Sequence, residues 1–172
     1  MGISQYLFYA MLIGACGYAA VRGGAPERIT AAAMICALVA TVVIAQYHPP
    51  SKGAYSAIEP RVALTDLTLF LVIVAIALFS TRFWPILMAS MMGCGLFGHL
   101  TKPLGPDILP RAYYIAVAVW SYPELLLLGI ATWRHRVRLA RYGVDYPWMW
   151  MLPRRYRNGW SVNELARPLP QN

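Results

Sequence analysis

The sequence predicts an all-α integral membrane protein with five transmembrane helices, an N-terminus outside the cell and a basic, aromatic-rich cytoplasmic tail. Hydrophobic residues make up 59% of the 172 residues and charged residues only 13%. The apolar residues come in long runs rather than in the alternating patterns of half-buried elements, and runs of about 20 apolar residues can cross a bilayer. Lys and Arg are concentrated beside particular runs, which predicts the orientation of the chain.

Five apolar runs are separated by turn-forming residues, and each run is read as one helix. We predict helices at about 3–21, 29–47, 62–80, 83–100 and 112–133, which together form a bundle over residues 1–142. No Lys or Arg precedes the first run, so we expect it to stay as a span rather than to be cleaved as a signal peptide. Gly23 and Gly24 are expected to form a tight turn because glycine tolerates positive φ.

The positions of Lys and Arg predict an outside N-terminus and an inside C-terminus. With the C-terminus inside, the inner segments hold eleven Lys and Arg residues and the outer segments hold four. The densest cluster is the four arginines within the eight residues that follow Trp133. Because dense positive charge is retained on the cytoplasmic side, this count predicts the five-span orientation.

The tail, residues 143–172, combines aromatic side chains, methionines and arginines. A segment of this length cannot bury a core of its own, and Trp, Tyr, Met and Arg are enriched in interface cores. We therefore predict that the tail docks on a partner protein, with an aromatic belt in the lipid headgroup layer as the alternative. The predicted docking residues are Trp148, Met149, Trp150, Met151, Leu152 and Trp160.

The arginines near the C-terminus are predicted to contact anionic lipid headgroups or an acidic partner. They are Arg134, Arg136, Arg138, Arg141, Arg154, Arg155 and Arg157. This placement accounts for much of the net charge of +8 without a nucleic-acid partner, which we do not expect. The sequence also has no P-loop, dinucleotide-binding, nucleophile-elbow or paired-carboxylate motif, so we predict no catalytic residue and no enzyme.

Glu124 is the main candidate for chemistry inside the membrane. It lies twelve residues into the predicted fifth helix, which is roughly 18 Å deep at 1.5 Å per residue. Pro123 is expected to break the helix there and to free the carbonyl of Val119. A carboxyl at a broken helix is typical of proton and cation sites in transporters. The alternative is a protonated Glu124 that forms a hydrogen bond within the bundle, since no second ionisable group is expected at that depth.

A second group of polar residues is predicted at the outer ends of the helices. His48, Asp66, His99 and Lys102 all belong to this face. The two histidines could ligate a haem or a metal, but their spacing is not diagnostic. We prefer an ion pair of Asp66 with Lys102 or His99, and we predict neither a metal nor a cofactor.

Three runs of the sequence resemble a known group of proteins: RGGAPER (22–28), RFWP (82–85) and WSYPELLLLGIATWRHRVRLARYG (120–143). They are similar to small multi-pass inner-membrane proteins of alphaproteobacterial type. The resemblance covers the chain up to about Gly143 and implies a location in the bacterial inner membrane. It brings no catalytic residue with it.

These observations leave three hypotheses for function. The first is a non-catalytic accessory subunit, held by helix faces and tail against other integral membrane subunits of a larger complex. Respiratory and photosynthetic electron-transfer assemblies are candidate hosts. The second is a small oligomeric transporter or proton-conducting protein that uses Glu124. The third is a haem-binding or quinone-binding membrane protein that uses His48 and His99.

Overall fold

A computed structural model describes residues 3–47, 60–104 and 119–152 of the chain. Within these ranges the chain forms five α-helices, one short 3₁₀ helix and no strand, which confirms the predicted all-α class. The α-helices are α1 (Ile3–Arg22), α2 (Ala25–Tyr47), α3 (Pro60–Phe79), α4 (Trp84–Leu104) and α5 (Ser121–Tyr142), and the 3₁₀ helix covers Met149–Met151.

The five α-helices form a closed ring. Each helix packs against the next one in the chain, and α5 also packs against α1. All five helices contribute buried apolar side chains to one core. These are Leu12, Cys16, Ala19, Ala31, Met34, Ile73, Ile76, Trp84, Met88, Met92, Leu125, Leu128 and Ala131. The predicted bundle is therefore held together by a single apolar interior over the described residues.

Consecutive helices run in opposite directions, which gives the bundle two distinct ends, and α5 runs parallel to its neighbour α1. Trp84 at the start of α4 contacts Glu27 near the start of α2. Asp66 near the start of α3 contacts His99 near the end of α4. We call the first end, which holds the α1–α2 link, the α3–α4 link and residues 134–152, the basic end. The opposite end, where α3 and α5 begin, is called the acidic end.

The link between α1 and α2 differs from the predicted turn. Gly23 and Gly24 do not adopt positive φ; among the described glycines only Gly143 does. A Cβ added to Gly23 would overlap the carbonyl oxygen of Ala19 and would lie 2.8 Å from Cβ of Glu27. Glycine is therefore required here because a side chain has no space, and the expectation of a positive-φ turn is wrong.

Helix α5 begins later and ends later than the predicted span. Val119 and Trp120 form a turn, and the helix begins at Ser121. Pro123 thus lies in the first turn of this helix, where a helix has no backbone hydrogen bond to lose. The break predicted at this proline also depends on residues 112–118, which lie outside the described residues, so it stays a prediction. At the other end the helix continues to Tyr142, and Gly143 caps it in the left-handed conformation with φ 72°.

Within the described part of the chain, two helices, α2 and α3, are long and apolar enough to cross a membrane, and α1 contains a shorter apolar stretch, Tyr6–Arg22. Many of the large apolar side chains of α2 and α3 are exposed on the outside of the bundle. They include Ile29, Ile35, Val39, Val42, Val43, Leu64, Leu67, Leu71 and Leu78. The central helix of a water-soluble protein would bury such residues instead.

Candidate functional site

A cavity of about 270 Å³ lies among the helices at the acidic end. Its walls are mostly apolar, and the carboxyl groups of Asp66 on α3 and Glu124 on α5 also line it. The other lining residues are Phe8, Leu12, Met34, Ala37, Leu38, Thr41, Val62, Leu69, Met92, Gly95, Leu96, Trp120 and Ser121. The structure thus brings two acidic side chains from different helices into one largely apolar space, which we call the acidic cavity.

Glu124 is buried in this cavity with only 7% of its surface exposed. It belongs to the first turn of α5, and not to the middle of a long helix as the sequence predicted. No described residue forms a hydrogen bond with its carboxyl group. Burial of a carboxylate without a partner is strongly unfavourable, so this side chain favours the uptake of positive charge.

Asp66 and His99 form a pair next to Glu124. The Oδ2 atom of Asp66 lies 3.0 Å from Nε2 of His99, and the histidine side chain is far more buried than the aspartate. Lys102 belongs to α4, but its side chain lies outside the described part of the structure, as does His48. Within the described residues no group of three His, Cys, Asp or Glu side chains is arranged to hold a metal. The haem or quinone hypothesis stays a prediction.

The juxtaposition of Asp66 and Glu124 was missed because Glu124 was expected deep in the bilayer. Pro123 carried the signal that could have corrected this, since proline favours the first turn of a helix. A helix beginning near Ser121 puts Glu124 at the same end of the bundle as the start of α3. The arrangement can bind a proton or a small cation, because two carboxyl groups face one apolar space.

The basic end is built around a different carboxylate, that of Asp145. Its Oδ1 atom accepts a hydrogen bond of 2.6 Å from Nη1 of Arg82. Its Oδ2 atom lies 2.6 Å from Nδ1 of His135 and 3.3 Å from Nε of Arg138. Asp145 follows α5 in sequence, and the cap at Gly143 turns the chain back so that its side chain reaches His135 and Arg138.

The charge state of Asp145 follows from these contacts. Burial of the side chain favours the neutral form, but the hydrogen bonds from Arg82 and His135 outweigh it and lower the pKa of Asp145. His135 Nδ1 donates its proton to Asp145, so it cannot also accept one from Arg82 Nη2, which lies 3.4 Å away. Asp145 is therefore ionised at neutral pH, and its carboxylate contacts Arg82, His135 and Arg138.

A second buried acid at the basic end is Glu27. Nε1 of Trp84 donates a hydrogen bond of 3.1 Å to Oε1 of Glu27. The other carboxyl oxygen has no partner within the described residues. A Cβ on Gly24 would lie 3.0 Å from both Oε2 of Glu27 and Cε1 of His135. Glycine at this position therefore lets the Glu27 side chain and the His135 ring approach each other.

The first part of the tail folds against the bundle of its own chain. Thr81 donates to the tail twice, from its backbone N to the Pro147 carbonyl at 3.1 Å and from Oγ1 to the Tyr146 carbonyl at 2.6 Å. Trp148 packs against the core and stacks on Trp150, with 5.1 Å between the ring centres. Residues 144–148 are thus held by the chain itself, a contact that the sequence did not predict.

The other predicted docking residues have different surroundings. Met149, Trp150 and Met151 are exposed, and Leu152 is half-buried. Trp160, Arg154, Arg155 and Arg157 lie outside the described residues. Docking of this segment on a partner remains a prediction, and the exposed side chains at 149–151 are the ones that could contact it.

Four arginines belong to α5. Three of them are exposed, and the fourth contacts another residue of the same chain. Arg134, Arg136 and Arg141 face outwards, whereas Arg138 contacts Asp145. The sequence missed this role because Asp145 and Arg82 come from distant parts of the chain. The available signal was that the runs RGGAPER, RFWP and 120–143 carry Glu27, Arg82 and His135, and the structure brings all three runs together at the basic end.

No protein-family model, curated protein or solved structure matches this chain.

Proposed function

We propose that the chain is a multi-pass protein of the bacterial inner membrane, with five spans, an outside N-terminus and an inside C-terminus. The exposed apolar faces of α2 and α3 support this, because lipid is the surrounding that such faces require. The alternating helix directions support it as well. They collect Arg82 and the arginines of α5 at one end of the bundle, as a single cytoplasmic face would require.

Within this framework the protein binds a proton or a small cation in the acidic cavity and moves it across the membrane. The observation that carries this proposal is Glu124, whose buried carboxyl lines the cavity together with Asp66 and has no hydrogen-bonding partner among the described residues. Ionisable groups inside membrane proteins mark ion and proton paths. The neighbouring Asp66–His99 pair provides a second protonatable site next to the first.

An oligomer is part of the proposal. The acidic cavity lies at one end of the ring of five helices, and the Asp145 network holds the other end together. Exposed apolar faces on α2 and α3 give copies of the chain a surface to share. The path between the two membrane faces would then use groups from more than one copy.

Proton flux into proteoliposomes tests the proposal. A potassium diffusion potential drives cation entry, and a pH-sensitive dye inside the vesicles reports protons. We expect the wild-type chain to acidify the lumen and Glu124→Gln to abolish the flux, because the amide cannot take up the proton. Asp66→Asn should reduce the flux. If Glu124→Gln conducts as well as the wild type, Glu124 is not the carrier.

Glu27→Gln is the matched control for this experiment. It makes the same chemical change at a buried glutamate at the opposite end of the bundle. The amide oxygen of the new side chain can still accept the hydrogen bond from Trp84. We therefore expect the fold and the flux to be retained. Equal losses in the Glu27 and Glu124 variants would show a general effect of removing buried charge rather than a role for the acidic cavity.

The accessory-subunit hypothesis is the second candidate, and one observation favours it. Met149, Trp150 and Met151 are exposed next to the arginine-rich face, and such residues form interface cores. The test is co-purification of partner subunits after mild solubilisation. Replacing Met149, Trp150 and Met151 with serine should release the partners, whereas Trp133→Ser, at an exposed residue of α5, should not. Unchanged partner stoichiometry in the triple variant would remove this hypothesis.

A further inference from the structure

A second cavity, of about 410 Å³, lies at the basic end between α4 and α5. We call it the basic cavity. Three arginines line its rim: Arg82, Arg134 and Arg138. The remaining described lining residues are Thr81, Phe83, Trp84, Leu87, Leu127, Ile130, Ala131 and Asp145. The cavity therefore combines a cationic rim with an apolar wall along the two helices.

The described residues do not neutralise the positive charge of this cavity. Asp145 is the single acid among the described lining residues, which include three arginines. Arg82 and Arg138 contact it, yet Nε of Arg82 and Nη2 of Arg138 are buried without an acceptor in the described residues. No described residue pairs with Arg134. A negatively charged group is thus expected beside Arg134 and the exposed part of Arg138.

The apolar wall identifies what carries this negative group. Leu87, Leu127 and Ile130 continue from the arginines along the outer surface of α4 and α5, and Leu87 and Ile130 are exposed. A free phosphate ion would contact only the arginines and would leave the apolar wall exposed to water. A molecule with an anionic head and a long apolar tail covers both parts of the cavity.

We infer that the basic cavity binds an anionic phospholipid, with its phosphate at Arg134 and Arg138 and an acyl chain along Leu87, Leu127 and Ile130. Basic pockets between helices at the cytoplasmic side recognise phospholipid headgroups in this way, and arginine forms paired hydrogen bonds with phosphate. The inference needs only that the basic end lie at a membrane surface, and it is independent of proton transport. The bound lipid would lie beside the Asp145 network and brace the α4–α5 contact.

Native mass spectrometry of the full-length protein, released from mixed phosphatidylglycerol and phosphatidylcholine bicelles, tests this inference. We expect the wild-type chain to retain one phosphatidylglycerol in preference to phosphatidylcholine. Arg134→Gln should weaken this retention about tenfold, because it removes a charge-assisted contact. Arg136→Gln, at an exposed arginine on the same helix that does not line the cavity, should change retention less than about twofold.

Two further measurements distinguish a lipid site from a site for a free anion: a substitution that fills the apolar part of the cavity, and competition with inorganic phosphate. Leu87→Trp fills the apolar part of the cavity while leaving every arginine in place, so it should displace the lipid; Leu126→Trp, at an exposed residue outside this cavity, should not. Inorganic phosphate at millimolar concentration should fail to displace phosphatidylglycerol. The inference is overturned if phosphate displaces the lipid, if phosphatidylcholine is retained equally, or if Arg134→Gln and Arg136→Gln behave alike.

Discussion

The buried carboxyl groups of Asp145 and Glu124 lie at opposite ends of the bundle and have different surroundings. At the basic end, Asp145 receives contacts from Arg82, His135 and Arg138. At the acidic end, Glu124 lies in a cavity, and no described residue donates to its carboxyl group. The first arrangement links Arg82, His135 and Arg138 through one carboxylate, whereas the described residues provide no such contacts to Glu124.

The different hydrogen bonding of Asp145 and Glu124 predicts different consequences for the stability of the fold. A buried charge with complete hydrogen bonding fixes a single arrangement of the elements around it. A buried acid without a partner is unfavourable in the resting protein and persists only when the surrounding structure enforces it. Glu27 at the basic end is intermediate between these cases, because Trp84 donates to one of its carboxyl oxygens and the other has no partner within the described residues.

The largest effect on stability is expected from Arg82→Gln. The side chains of Arg82 and Asp145 are only 5% and 8% exposed, and breaking a buried ion pair costs about 3–5 kcal/mol. His135 and Arg138 still contact Asp145, so we expect a value near the lower limit. Unfolding by sodium dodecyl sulfate titration in mixed micelles measures the loss, and hydrogen exchange over residues 144–152 should increase with it.

Arg136→Gln provides the comparison for this measurement. Arg136 is exposed, and no described residue pairs with it, so the free energy of unfolding should change by less than about 0.5 kcal/mol. A similar loss in both variants would mean that total positive charge, and not the contact with Asp145, stabilises the basic end.

Acidification should release the tail at a pH set by Asp145. Arg82 and His135 lower the pKa of Asp145 despite its burial, so ionisation stabilises the folded state. This contribution is complete above the ordinary pKa of about 3.9 and is lost as the pH falls below it through the lower folded value. Hydrogen exchange of residues 144–152 should therefore increase below about pH 4. Release at neutral pH would contradict this account of the network.

Trp84→Phe should have a smaller effect at the same end. Phenylalanine preserves most of the ring packing but removes the Nε1 donor to Glu27, a carboxylate that is completely buried. An unsatisfied buried acceptor costs about 1–3 kcal/mol. Trp133→Phe, at an exposed indole, should be close to neutral. If both substitutions are neutral, the hydrogen bond to Glu27 contributes nothing to stability.

The helices were largely predictable from sequence because long apolar runs and proline or glycine breaks determine where helices form. The all-α class and the cap at Gly143 follow from these local signals. The described part of α5 begins at Ser121, after a turn at Val119 and Trp120, and apolarity alone did not predict that turn. The role of Pro123 depends on its position relative to this helix start.

The two sites were harder to predict because each depends on contacts between distant residues. Asp145 contacts Arg82, 63 positions away in the chain, and no local pattern encodes such a pair. Asp66 and Glu124 were both recognised as polar residues in apolar runs. Only the packing of α3 against its neighbours and the true start of α5 show that they share a cavity.

Among the substitutions that alter a buried contact rather than serve as controls, Asp66→Asn is expected to have the smallest effect on stability, and it gives the sharpest comparison of the two ends. The Asp66 side chain is 35% exposed, and partly exposed ion pairs contribute about 0–1 kcal/mol. The amide oxygen of asparagine can still accept a hydrogen bond from Nε2 of His99. We therefore expect a change below about 1 kcal/mol in the same unfolding titration, together with reduced proton flux. A loss as large as that of Arg82→Gln would show that the Asp66–His99 pair is a structural anchor, like Asp145, rather than part of a site for positive charge.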